Sequence, residues 1–114
     1  MKIKLITVIL VICCIIKLLH KQKGINVEDW SDYQGIMTWE ESNEKCEGLQ
    51  MRPPTRKEIK AAYNANLTDS WKKDGLWYWT SEKFSKEYAY YFNVEDGNVS
   101  NIVNFYSIHL RCIR

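Results

Sequence analysis

The chain has 114 residues, 46% apolar and 26% charged, with only five Gly and two Pro, so it suits one folded domain and is neither collagen-like nor a proline-rich disordered chain. Its net charge of +2 is uneven: Lys2, Lys4, Lys17, Lys21 and Lys23 all precede Gly24, and the remainder holds eleven basic against 14 acidic residues. A phosphate-reading surface needs clustered Lys and Arg, and the basic excess lies outside the expected domain, so nucleic acid is excluded as a partner.

Leu5 to Ile16 is an apolar run behind Lys2 and Lys4, the pattern of a secretory signal. Stretched from Ile3 to Leu19 with Lys4 and Lys17 snorkelling, it reaches ~26 Å as a helix against a ~30 Å hydrocarbon core, which makes a retained membrane anchor the alternative. Lys17 to Lys21 lack a small-residue cleavage site, and the flanking lysines leave the orientation nearly undecided. Cys13 and Cys14 end the run where a bacterial lipoprotein carries its lipid, so Cys14 is the lipidation candidate; small apolar side chains in a membrane helix are the alternative use. Residues 1–23 are thus read as signal or anchor, 24–35 as a linker with the first strand, and 36–114 as the domain.

All 15 aromatic residues fall at or after Trp30. Thr38 with Glu41 forms a capping box that predicts a helix start. Trp39, Cys46 and Leu49 then share the inward face, Glu40, Glu44 and Glu47 the solvent face, and Gly48 suits the cap. The glutamates Glu40, Glu41, Glu44 and Glu47 beside Lys45 read as a solvated face with one ion pair. Thr55 with Glu58 opens a second helix after Pro53 and Pro54, with Ile59, Ala62 and Tyr63 on one face, ending at Asn64 to Asn66.

From Leu76 the period becomes two: Trp77 and Trp79, then Tyr88, Tyr90 and Phe92, then Val99, Asn101 and Val103. Asp96-Gly97 between the last two runs predicts a tight hairpin turn. Ile108 to Arg114 alternates as a closing strand with Ile108, Leu110 and Cys112 inward. Two inward cysteines in an exported domain predict a Cys46–Cys112 disulfide; a pair of buried free thiols in a cytoplasmic protein is the alternative.

In order, the chain presents Trp39, Ser42, Cys46 and Leu49; Arg52-Pro53-Pro54-Thr55 with Glu58; Tyr78-Trp79-Thr80-Ser81-Glu82; Ala89; Gly97; and Arg111-Cys112-Ile113-Arg114. From Ile36 to Arg114 this resembles the bacterial C-type-lectin-like domain found at the C-terminus of a collagen-like adhesin, related to the formylglycine-generating, sulfatase-modifying-factor fold. Pro53 stands where that family usually has leucine. The resemblance implies an α+β, C-type-lectin-like fold of two helices packed on a small twisted antiparallel sheet. It also implies a bacterial source, which discounts the glycosylation patterns at Asn66 and Asn98.

That fold hosts lectins, enzymes and protein-binding modules, so function rests on the residues. The Glu-Pro-Asn, Gln-Pro-Asp and Trp-Asn-Asp motifs of calcium-dependent sugar binding are absent from the sequence. Glu95, Asp96 and Asn98 suit a turn better than calcium. The formylglycine-generating relatives depend on paired redox cysteines, and Cys112 is expected to be engaged structurally. His109, the one histidine after His20, reads as an exposed strand residue outside any catalytic or metal-ligating pattern. No metal or cofactor is expected. Asn98, Asn101, Asn104 and Tyr106, with Phe105, form the candidate ligand stretch, since amides and aromatic faces suit sugar hydroxyls. The alternative is that Val99, Val103 and Phe105 are core and the asparagines occupy turns. Trp77 and Trp79 are assigned to the core. The sequence therefore predicts a non-enzymatic, adhesin-like module, secreted or membrane-anchored in the cell envelope, that binds an extracellular glycan or protein. A formylglycine-generating-type enzyme or accessory, and an envelope structural module without a ligand, are the alternatives.

Overall fold

A computed structural model describes residues 25–114. The apolar N-terminal run and Cys13 and Cys14 lie outside the described residues, so the signal, anchor and lipidation expectations are not addressed by it. Among the described residues no helix is long and apolar enough to cross a membrane.

Two threonines start the helices as the capping boxes require. Helix α1, Trp39–Gly48, begins where the Glu41 N–H donates to Thr38 Oγ1 at 3.3 Å and the Thr38 N–H donates to the Glu41 carboxylate at 3.0 Å. Helix α2, Arg56–Asn64, begins with the same exchange between Thr55 and Glu58, at 3.1 and 2.8 Å. Pro53 and Pro54 are buried just ahead of it.

The end of α1 departs from expectation. Gly48 lies inside the last turn, and Gln50 takes the left-handed conformation (φ 58°) that closes the helix. The Gln50 N–H donates to the Glu47 carbonyl and the Met51 N–H to that of Cys46, the double bond of a Schellman motif. Leu49, expected inward, is 42% exposed because it falls in that turn. The acidic face of α1 is exposed, and Lys45 forms no ion pair among the described residues.

Five strands form one sheet: β1 Ile36–Met37, β2 Trp77–Lys83, β3 Tyr88–Asn93, β4 Val99–Val103 and β5 Ile108–His109. Their order is β1-β5-β2-β3-β4. The pairs are antiparallel except β2 with β5, which run parallel at Tyr78 and His109. The architecture is therefore α+β as expected, with one parallel contact inside the sheet. The first strand is Ile36–Met37, the opening residues of the stretch 36–114 rather than part of 24–35.

Both faces of the sheet are covered, and this reshapes β2. One core holds Cys46 of α1 with Trp79, Ala89, Ile108, Leu110 and Cys112. The other holds Ile59 of α2 with Tyr78, Phe92, Val94 and Trp71. Trp71 comes from a 3-10 helix, Leu67–Lys73, which follows α2 without a capping box or a helical apolar period to mark it. With a layer on each side, consecutive residues Tyr78, Trp79 and Thr80 are all buried, as the strict alternation of a one-sided strand would not allow. Trp77, assigned to the core, instead lies 39% exposed at the strand's start and stacks on Tyr91, ring centroids 4.6 Å apart.

The closing segment alternates as expected: Ile108, Leu110 and Cys112 point inward. Only Ile108–His109 is regular strand; beyond it the chain is zipped to residues 29–35 and 52 by backbone bonds. These include Ser31 N–H to the Cys112 carbonyl (2.8 Å), Leu110 N–H to that of Gly35 (3.1 Å) and the reciprocal Arg52–Ile113 pair (2.9 and 2.7 Å).

Cys46 and Cys112 form a disulfide with Cα atoms 5.6 Å apart and a sequence separation of 66. Closing a loop of that length removes denatured-state freedom worth about 4 kcal/mol in the chain-entropy model. The double variant Cys46→Ala with Cys112→Ala should therefore lose about that much stability in urea unfolding; a loss below ~1 kcal/mol would show the bridge to be dispensable.

Candidate functional site

The candidate ligand residues do not converge. Asn98 and Asn104 bracket β4, roughly 20 Å apart at ~3.4 Å per residue. Asn98 sits exposed at the β3–β4 tip, its N–H held by the Asp96 carboxylate at 2.9 Å. The connection is longer than the expected tight turn: β3 ends at Asn93 and β4 begins at Val99, and only Gly97 has a positive φ, 75°. A Cβ on Gly97 would lie 2.5 Å from the Tyr63 ring. Asn93 and Asp96 use their side chains on the backbone N–H groups of Glu95 and Asn98, which is turn chemistry. Among the described residues no cluster of three or more His, Cys, Asp or Glu is placed to hold a metal.

Asn101 lies mid-strand, opposite Tyr90 of β3. Asn104 is used by the backbone. Its carbonyl accepts the first N–H of α1, from Trp39, at 3.0 Å, and its side-chain amide donates to the Lys86 carbonyl at 3.2 Å. Asn104 thereby ties the β4 end to the start of α1.

A cleft of about 440 Å³ opens at that junction, lined by Thr38, Trp39, Glu40, Lys83, Asn104 and Phe105. The Trp39 indole is fixed by donation to the Thr80 carbonyl at 2.8 Å, and the Lys83 ammonium lies 4.9 Å from its ring centroid. Phe105, in the cleft lining, is 71% exposed and the next residue, Tyr106, 55%, their rings near-parallel at 12° and 6.3 Å apart. Phe105 is thus not core, and neither is the exposed Val99; Ile102 is the β4 side chain that packs inward, against the disulfide core.

A second cleft, about 750 Å³, runs from the start of α2 to Asn98. Two of its cations are engaged. Arg56 pairs with Glu82 at 3.1 Å and covers the Tyr90 ring at 3.9 Å, while Lys60 donates to the Gly97 carbonyl at 2.8 Å. Glu82 also accepts the Arg56 backbone N–H at 2.7 Å, filling the helix N-terminus with a carboxylate whose pKa the guanidinium lowers.

The remaining cluster of titratable groups surrounds His109, which is partly buried rather than an exposed strand residue. Its Nδ1 shares a hydrogen bond of 2.7 Å with the Tyr33 hydroxyl. Its ring lies so close over Gly75 that a Cβ there would meet Nε2 at 1.9 Å. Beside it, Arg111 pairs with Asp74 at 3.2 Å and lies 4.8 Å from the Trp71 ring, and the Tyr78 hydroxyl donates to the Trp71 carbonyl at 2.9 Å. Burial pushes the Tyr78 hydroxyl up to about 12, raises Tyr33 and lowers His109. These contacts join the residue 31–35 segment, β2, β5 and the turn after Trp71; Tyr33, Asp74 and Gly75 gave no spacing signal that would have grouped them.

A scan against protein-family models finds no match, and a search of curated proteins finds none either.

Two pH windows follow. The folded His109 pKa lies below the ordinary 6.5, so the fold favours neutral imidazole. Stability is kept above that value and falls as the pH drops from it through the lower folded pKa. Glu58, held down to about 2 by the Arg52 guanidinium from an ordinary 4.5, contributes stability above 4.5 that is lost as the pH falls through about 2. Urea midpoints against pH should lose the first step in His109→Gln and show a reduced second step in Arg52→Gln, where the Thr55 N–H still bonds the Glu58 carboxylate; the Arg52 effect is small, since the pair is partly solvent-screened.

Proposed function

We propose that the chain is an extracytoplasmic, non-enzymatic binding module of the C-type-lectin-like kind, secreted or held at the membrane by its N-terminal segment. It takes an extracellular glycan or protein at the β4–β5 end. The observation that carries this reading is the Phe105–Tyr106 pair, two large aromatic rings left in solvent where Phe105 borders a cleft also lined by Trp39, Lys83 and Asn104. Aromatic faces stack on the C–H face of a sugar or on apolar protein side chains, and a few placed polar groups orient the ligand.

Two further observations support the reading. The disulfide agrees with an oxidising compartment, and the first helix joined to the closing segment agrees with the resemblance drawn from the motifs. A formylglycine-generating reading needs a reactive thiol, and both cysteines of the described residues are bonded to each other.

Full-length protein on arrays of glycans and of envelope or host-surface proteins should show a saturable ligand. Phe105→Ala with Tyr106→Ala should weaken binding about tenfold or more while the disulfide and the unfolding midpoint stay unchanged. Binding that survives this double variant, or a protein without any saturable ligand, would overturn the reading.

A further inference from the structure

The two edges of the sheet are built differently. β1, at one edge, is two residues long. β4, at the other, runs five residues, Val-Ser-Asn-Ile-Val, without a charge or a proline, and pairs with β3 without a register shift. Edges are normally blunted by brevity, charge, proline or a bulge. β4 has none of these.

The register shows which backbone groups are unused. The Asn93 N–H donates to the Asn98 carbonyl at 2.9 Å, and the Asn104 N–H to that of Glu87 at 2.8 Å. In an antiparallel pair, bonded and non-bonded residues alternate, so Ser100 and Ile102 also face β3. The N–H and C=O groups of Val99, Asn101 and Val103 therefore point out along the open edge. Among the described residues only the Tyr106 N–H reaches one of them, the Val103 carbonyl at 3.1 Å, which keeps a second lone pair.

We propose that this edge pairs with the same edge of a second copy, antiparallel about a two-fold axis at Asn101, joining the two sheets into one. A two-fold contact must be self-complementary, and in this register β4 is. Val99 faces the partner's Val103, two β-branched side chains in a cross-strand pair. Asn101 faces its own copy, and each amide supplies both a donor and an acceptor. An uncharged strand sets no like charges against each other. The same register brings the acidic tip, Glu95 and Asp96, beside the end of the other copy that bears Lys83 and Lys86 with Glu87. The contact's tip lies near the cleft wall at Lys83, but its test varies Ser100 and Asn101 and leaves Phe105 and Tyr106 in place, so its failure is distinguishable from that of the ligand reading.

The test uses the full chain in lipid nanodiscs, with Cys13→Ser and Cys14→Ser removing cross-links through the N-terminal segment. In this background the protein should sediment as a dimer. Asn101→Cys should oxidise to a covalent dimer about tenfold faster than Ser100→Cys, because residues at the axis lie within disulfide reach, whereas Ser100 sits diagonal to its own copy, beyond the ~7 Å Cα limit. Asn101→Lys, which sets charge against like charge at the axis, should give a monomer with the Cys46–Cys112 bridge intact. A monomeric parent protein, equal cross-linking at the two positions, or a dimer that persists in Asn101→Lys would each overturn the proposal.

Discussion

The bond between Cys46 and Cys112 joins the last turn of the first helix to the last residues of the chain, and much of the architecture is arranged around it. On one side of the sheet it forms the centre of a core with Trp79, Leu110 and Ile108. Around it, the chain's two described ends are laid together: residues 29–37 pair with 108–114 through backbone bonds, so a helix and a terminal segment far apart in sequence become neighbours. A domain of this size buries a limited apolar surface, and a covalent tie that shrinks the denatured ensemble raises its margin where packing alone supplies little.

The second constraint is that β2 is covered on both faces. Trp79 faces the disulfide core while Tyr78 faces α2 and the 3-10 helix, and each spends its polar atom on backbone: the Trp79 indole on the Met37 carbonyl at 2.8 Å, the Tyr78 hydroxyl on that of Trp71. Buried polar atoms left without such partners would cost more than the bonds return. Most of the aromatic load is thereby consumed in holding layers together. This makes Phe105 and Tyr106 informative: they are aromatic residues that no layer claims.

The candidate site was only half visible beforehand. The stretch Asn98 to Tyr106 was legible as polar and aromatic, but composition does not say which side chain the fold employs. Asn104 is a fastener between β4 and α1, Asn98 completes a turn, and Asn101 sits on an open sheet edge; the cleft's other wall, Trp39 and Lys83, comes from residues distant in sequence. His109 was misplaced for the same reason. Its neighbours Tyr33, Asp74 and Gly75 lie in two segments distant in sequence from it, and no local pattern marks a residue that will be covered by another segment's glycine.

What the amino-acid order determined by itself was local. The two capping boxes follow from side chains three residues apart, the inward faces of α2 and of the closing segment follow from periodicity, and the two cysteines on inward faces implied their pairing. What the tertiary structure decided was everything requiring a second segment. It set the left-handed Gln50 in place of a glycine cap, the parallel contact of β2 with β5, the burial of three consecutive β2 residues and the exposure of Trp77. The physical reason is range: hydrogen bonds within one helical turn and side-chain alternation are written in neighbouring residues, whereas burial depends on what the rest of the chain brings to lie on top.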